Sequence, residues 1–334
     1  MPFSKRSIST SITVVVLSIL SGLSFIVYKL RSSPDRVQLV DNSGNEKLSF
    51  LALGDQGTGM LSQWKIARSM ENVAEENHGI NFVVFLGDNF YGKGAQSTHD
   101  RQWNYKFENV YSGHALKNVP FYAVLGNHDF RHNPEVEIQY SREQAGSGRW
   151  QMPGHHYSVD IGTDQGHPLL RMVFIDTNLV KDDLRREVDF VKQSFSPSGS
   201  EPTWRVVVGH HPVRNFGKHG ETAKLVSDLL PVLKQYQVDF YMAAHDHDEQ
   251  VIAQDGEPYY LISGGGGQKL YHVPAPHDGL LYSDSSYGFV KMDAESSAIT
   301  ITYYDTSARA KVKYTLQRNC EGTASACLLQ ARTP

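Results

Sequence analysis

LSFLALGDQG at residues 48–57 and INFVVFLGDNFY at residues 80–91 decide how this chain is read. Each opens as an apolar run of strand length and then presents Gly-Asp. Between them, residues 60–77 (MLSQWKIARSMENVAEEN) predict a helix with Leu61, Trp64, Ile66, Ala67 and Met70 largely on one side. Strand, helix, strand is a β-α-β unit, and such a crossover implies parallel strands. VPFYAVLG (119–126), LLRMVFID (169–176), RVVVG (205–209) and VDFYMAA (238–244) continue the pattern, with helices predicted near 134–145, 182–195 and 221–235. From residue 248 onward the pattern changes to the short strands QVIAQ, YYLIS, YGFVKM and AITITYYD, with Asp-Gly turns at 255 and 278. That change predicts a second, largely antiparallel sheet.

A chain of 334 residues can bury one large core or two small ones, and no break in composition divides it after residue 45. The formal charge is -4 with acidic and basic residues interspersed, so no basic stripe is present and nucleic acid is not an expected partner. Residues 1–36 stand apart. Lys5 and Arg6 precede an apolar run from Ile12 to Tyr28, and Lys29, Arg31 and Arg36 follow it. As a helix this run is roughly 25 Å long, just short of a hydrocarbon core. It reads as an uncleaved signal anchor, with a signal peptide cut after Ser24 as the alternative, although no A-x-A site is present. Residues 37–47 read as a polar linker, 48–316 as the main domain and 317–334 as a tail. The only cysteines, Cys320 and Cys327, lie in that tail, where two unpaired thiols and a small disulfide loop are both open readings.

The strands of the first part end in polar residues: GDQG from 54, GDNFY from 87, GNHD from 126, GHHP from 209 and AHDHD from 244. Ligands of open α/β sheets gather at carboxyl ends of strands, so these five ends can share one cleft. A glycine precedes the polar residue in four of them, which lets the chain turn sharply. Singly the motifs are weak, because Gly-Asp is commonly a turn and GNH equally fits a helix cap. The H-x-H spacing would put both imidazoles on one side of an extended chain. Together, Asp55, Asp88, Tyr91, Asn127, His210, His245 and His247 supply two carboxylates, a phenol, an amide and three imidazoles. That mixture of hard and borderline donors suits two metal ions sharing a bridging ligand.

The ordered set GDQG, GDNFY, GNHD, VVGHHP and AHDH resembles the purple acid phosphatases, specifically the small tartrate-resistant type among the metallophosphoesterases, over roughly residues 48–315. The resemblance implies an α/β fold, the four-layer α/β/β/α sandwich of the calcineurin-like type. It also implies a binuclear centre in which Asp55, Asp88, Tyr91 and His247 hold Fe(III), and Asp88, Asn127, His210 and His245 hold Fe(II), Zn(II) or Mn(II), with Asp88 bridging. Hard phenolate and carboxylate suit the trivalent ion, and a neutral amide and imidazoles suit the divalent one. The activity implied is that of an acid phosphatase, hydrolysing small phosphomonoesters or phosphoproteins through a metal-activated hydroxide. By the same resemblance His128 would hydrogen-bond a phosphoryl oxygen, and His219 in FGKHGET would assist the leaving group. With the apolar segment, the expectation is a membrane-anchored or secreted enzyme whose catalytic domain is exoplasmic or luminal.

His211 reads as an exposed non-ligand, and His155, His156 and Tyr157 as lining the approach or simply beginning a strand. GGGG at 264–267 reads as close backbone packing near the site. A phosphodiesterase with the same metals is the alternative activity. A non-catalytic scaffold is a third reading, opposed by the presence of all seven donors. The chain departs from the family pattern at three places. Gln56 stands where a tryptophan or similar residue is usual, and Ala244 replaces the glycine before H-D-H. The segment between Asp176 and the helix near Asp183 is short, where animal members carry a long inhibitory loop.

Overall fold

The computed structural model describes residues 38–40, 44–77, 79–178, 184–273 and 276–331. The apolar run at 12–28 lies outside them, and among the described residues no helix is long and apolar enough to cross a membrane. In chain order the first elements are β1 (Gln38–Val40), β2 (Leu48–Leu53), α1 (Leu61–Glu76), β3 (Phe82–Phe85), β4 (Phe121–Ala123), α2 (Glu135–Arg142) and β5 (Trp150–Gln151). They continue through β6 (Tyr157–Asp164), β7 (His167–Phe174), α3 (Arg185–Phe195), β8 (Trp204–Val208), α4 (Leu230–Gln235) and β9 (Phe240–Ala243). The last are β10 (Glu249–Ile252), β11 (Tyr259–Ser263), β12 (Leu280–Asp284), β13 (Gly288–Ala294), β14 (Ala298–Asp305), β15 (Ala310–Gln317), α5 (Ala324–Cys327) and β16 (Leu328–Ala331).

These strands form two sheets of eight, β1-β6-β7-β8-β9-β11-β10-β12 and β16-β15-β14-β13-β2-β3-β4-β5. The expected parallel pairings are present: Leu51 lies opposite Val83, and Val207 opposite both Val173 and Tyr241. The expected separate antiparallel sheet is not. Strands β10 to β12 extend the first sheet and β13 to β16 the second, because β13 lies antiparallel to β2 with Met292 opposite Phe50. The run GFVKM is buried on both faces, so β13 needs neighbours on both sides and cannot sit at an edge.

Alternation along the first sheet sets the layers. Met172, Val206, Val208, Phe240 and Met242 face the core shared with the second sheet. Val173, Val207, Tyr241 and Ala243 face Leu184, Val188, Val191, Leu229 and Leu233 of the α3 and α4 region. Helix α1 covers the other sheet, burying Gln63, Ile66, Ala67, Met70, Val73 and Ala74. The result is the α/β/β/α sandwich. The helical face differs from the expected one: Leu61 and Trp64 are 70% and 40% exposed. Gln63 fixes the rotation, since its amide donates to the Lys106 carbonyl at 2.8 Å and accepts from the Gly59 N–H at 2.8 Å.

The stretches read as linker and tail are both drawn into sheet edges. Leu39 of β1 pairs with Val159, and Leu329 of β16 with Thr315. Between β15 and β16, Cys320 and Cys327 form a disulfide with Cα atoms 5.7 Å apart, closing the final hairpin.

Candidate metal centre

Strands β2, β3 and β4 of one sheet and β8 and β9 of the other end at a common rim, and hydrogen bonds sew it together. The Gly54 N–H donates to the Ser263 carbonyl at 2.7 Å, Asp55 N–H to Gly87 at 3.0 Å and Ala244 N–H to His210 at 3.1 Å. Asp55, Asp88 and His245 have φ of 58°, 56° and 70°, a left-handed conformation uncommon for residues with a Cβ. The sharp turns expected of glycine are thus made largely by the donor residues themselves. Of the four preceding glycines only Gly87 has a positive φ, 93°. Gly126 is needed for space, since a Cβ there would lie 2.2 Å from the Asp88 nitrogen. Because His245 is not extended, the two imidazoles of His-Asp-His diverge, contrary to the reading from spacing.

That divergence divides the donors into two groups. In one, Tyr91 Oη donates to Asp55 Oδ1 at 2.8 Å and lies 3.1 Å from His247 Nε2, itself 3.5 Å from Asp55 Oδ1. In the other, His210 Nε2 lies 3.2 Å from Asn127 Oδ1 and 3.3 Å from His245 Nδ1. Asp88 faces both: Oδ1 is 3.6 Å from His210 Nε2, and its charge is among those that push the Tyr91 phenol up. The far nitrogens are held by backbone carbonyls, His247 Nδ1 by Lys269 at 2.7 Å and His210 Nδ1 by Leu86 at 2.9 Å. Each Nε2 is thereby left with its lone pair facing the cluster. Asp55, Asp88 and His210 can each offer one atom within 4.8 Å of one another.

The electrostatics ask for cations. Burial pushes the Asp88 carboxyl well above its ordinary range, and the charges of Asp55 and Asp129 add to this. Burial also raises Asp55, but the neighbouring His247 imidazole, and then those of His210 and His245, outweigh it and hold that carboxyl at about 2. Burial lowers His245 to about 3 and His128 to about 4, so both are neutral. Tyr91 is pushed far up, first by burial and then by the two carboxylates. Two neighbouring buried carboxylates, the neutral His245 imidazole and a phenol fit a group that brings positive charge, as two metal ions would.

Around these donors, the His128 ring lies 4.3 Å from that of Tyr91, tilted by 49°, and the His128 backbone N–H donates to Asp88 Oδ1 at 2.7 Å. His219 lies 4.4 Å from the His245 ring, and its Nδ1 is 3.1 Å from Asp246 Oδ1. His211 is not exposed as expected: Nδ1 is 2.9 Å from Thr177 Oγ1, the ring is 4.5 Å from His245, and burial drives its pKa well down. His155 and His156 stay outside the cluster. His155 joins Asp176 and Glu135, each at 2.6 Å, and His156 contacts Glu187 at 2.9 Å. The glycine run is close backbone packing: a Cβ on Gly264 would lie 1.9 Å from the Asp246 carbonyl and 2.8 Å from Asp55 Oδ2.

One residue that the motif reading passed over is Asn89, the amide between Asp88 and Phe90. It points away from the metal side, and Nδ2 donates to the Val124 carbonyl at 2.9 Å and to Glu137 Oε2 at 3.0 Å. Its Oδ1 accepts from Gln56 Nε2 at 3.0 Å. Gln56 therefore sits behind the donors. Ala244 is accommodated by Gly54, where a Cβ would fall 2.3 Å from that of Ala244. Of the short segment after Asp176, residues 179–183 lie outside the described residues.

The calcineurin-like phosphoesterase family profile matches residues 48–249. Purple acid phosphatase 4 of Arabidopsis thaliana is 31% identical over 93% of this chain and 95% of its own length. The human tartrate-resistant acid phosphatase type 5 is 30% identical over 81% and 91%. Among solved structures, an anchor protein of the Plasmodium inner membrane complex superposes with a TM-score of 0.73 at 24% identity, covering 83% of this chain and 90% of that one. A purple acid phosphatase from yellow lupin seeds gives 0.62 at 18% identity, covering 82% and 54%. These two likenesses show the fold. The sequence relatives, the family profile and the clustered donors together make this chain a calcineurin-like phosphoesterase and, within that family, a purple acid phosphatase, a metal-dependent hydrolase of phosphate monoesters.

Proposed function

We propose that Asp55, Tyr91 and His247 hold Fe(III), that Asn127, His210 and His245 hold Fe(II), Zn(II) or Mn(II), and that Asp88 bridges the two. The observation that carries this is the division of donors into two groups, Tyr91 and His247 about Asp55 and Asn127 and His245 about His210, with Asp88 Oδ1 3.6 Å from His210. When bound, the ions supply Lewis acidity to the phosphoryl oxygens and to the attacking water. The residues around them orient the substrate. His128 presents its imidazole to a phosphoryl oxygen. His219 passes the Nε2 proton to the departing oxygen, its ring oriented by Asp246, whose carboxylate also accepts the His219 N–H at 3.1 Å. Asn215 Nδ2 donates to the same carboxylate and fixes it in turn.

The substrates would be small phosphomonoesters or exposed phosphoprotein side chains. The Cys320–Cys327 disulfide supports an oxidising, exoplasmic or luminal site of action, with the segment at 12–28 as its membrane anchor or its secretion signal. The test is metal stoichiometry beside activity. Asp88→Ala should lose both ions and all hydrolysis of an aryl phosphate, while Asn127→Ala should mainly weaken the divalent site. Two metals per chain retained in Asp88→Ala would overturn the assignment, and an aryl phosphodiester cleaved faster than the monoester would overturn the substrate class.

A further inference from the structure

Beside the metal centre, on the flank formed by His219 and His247, lies an open recess of about 590 Å³. Gly217 and Lys218 line it from the loop that carries His219, and Lys269, Leu270, Tyr271 and His272 from the loop that follows the glycine run. None of these lining residues is acidic, and Lys218 and Lys269 are exposed. Tyr271 is the shared wall. Its ring stacks on His247 with centroids 4.2 Å apart at 14°, it lies 5.4 Å from the His219 ring, and Lys218 Nζ sits 4.0 Å from its centroid. The backbone ties the loop to the centre as well: Lys269 O accepts from His247 Nδ1 at 2.7 Å, and Tyr271 N–H donates to the His247 carbonyl at 2.9 Å.

A phosphoryl group at the centre directs its leaving group toward His219, and hence toward this recess. A neutral alkyl or aryl leaving group gains little from two ammonium groups. A leaving group with its own phosphate meets both, each with three rotatable donors, and Lys218 is already steered by the aromatic face beneath it. We propose that the recess is a subsite for phosphorylated leaving groups, the chemistry shared by inorganic pyrophosphate and nucleoside diphosphates. The proposal rests on the assignment of the centre to phosphate hydrolysis and of His219 to the leaving side. The reaction remains hydrolysis. A water oxygen bonds to phosphorus, the bridging P–O bond breaks, and its electron pair departs on the bridging oxygen of the second phosphate. The two protons of water end on the products or in solvent.

The experiment compares kcat/KM and KM of the metal-loaded protein on pyrophosphate, ADP and nitrophenyl phosphate for wild type, Lys218→Ala, Lys269→Ala and Lys218→Arg. Each alanine should raise KM for pyrophosphate by about 3- to 10-fold more than for nitrophenyl phosphate, and the difference should shrink with added salt. Arginine at 218 should restore most of it. Equal loss on pyrophosphate and ADP assigns recognition to phosphate alone; loss on ADP only assigns it to a nucleoside-linked phosphate. Parallel changes on all three substrates, or none on pyrophosphate and ADP, would overturn the subsite while leaving the phosphatase assignment intact. A wild type inactive on nitrophenyl phosphate would instead refute the parent assignment.

Discussion

Replacing Asn89 with alanine should damage this protein from behind its metal site. The side chain is 3% exposed and links the Val124 carbonyl, Glu137 and Gln56 through bonds of 2.9, 3.0 and 3.0 Å. Alanine strands all three partners in the interior. At about 1 to 3 kcal/mol for each buried group left unpaired, and with partial relaxation, the loss is roughly 3 to 6 kcal/mol. That is a large share of the 5 to 15 kcal/mol typical of a folded domain. Glu137 supplies the control. Burial, and then the charge of Asp129, push its carboxyl well up. Glutamine has the same shape, keeps an oxygen that accepts from Asn89 and removes a buried carboxyl, so Glu137→Gln should cost under about 1 kcal/mol. Urea unfolding of chelator-treated protein, followed by tryptophan fluorescence, reads both. With a slope near 2 to 3 kcal/mol per molar, the Asn89→Ala midpoint should fall by roughly 1 to 3 M. An Asn89→Ala midpoint within experimental error of wild type, or a Glu137→Gln shift as large as that of Asn89→Ala, would refute the reasoning.

Three other changes test separate parts of the molecule. His219→Ala should slow alkyl phosphates, whose alkoxides leave poorly, by about 10²- to 10⁴-fold, and nitrophenyl phosphate far less; equal loss would make His219 a binding group. Iron-loaded wild type should show a broad visible phenolate-to-Fe(III) band that Tyr91→Phe abolishes at matched iron content, and a surviving band would assign the chromophore elsewhere. His155 is held up at about 9 by its hydrogen bond to Asp176, against the pull of burial and with the help of Glu135. A raised folded-state pKa contributes stability fully below the unfolded value near 6.5 and loses it as pH rises through about 9. The stability gap between wild type and His155→Ala should therefore close between those limits in pH-dependent urea melts, and a gap constant across that window would contradict the ion pairs.

The strand ends were legible because each motif is local: a buried run followed at once by a donor needs only the chain's own period and its burial. Asp55, Asp88, Tyr91, Asn127, His210, His245 and His247 do converge, although the reasons offered from spacing were partly wrong. His245 turns left-handed, so His245 and His247 serve opposite groups, a backbone choice that residue spacing does not encode. The division of strands between sheets was not legible either. β13 is paired with β2 across more than two hundred residues, and no local pattern specifies a partner so remote. His211 and Asn89 were misjudged or passed over for a related reason. Their environments, Thr177 beside one and Glu137 beside the other, are built from distant segments.

The left-handed turns at Asp55, Asp88 and His245 set stability and catalysis against each other. Glycine would adopt each conformation without steric cost, relieving about 1 kcal/mol per position. It would also delete a proposed metal donor every time. Selection on fold stability alone would therefore erode the centre first at these three residues. A descendant that kept only a structural role, on this same sandwich, would drift toward glycine or asparagine there and become harder to unfold. Laboratory evolution for heat resistance without an activity screen should take the same route, so thermostable survivors of such a screen would be enriched in metal-free protein.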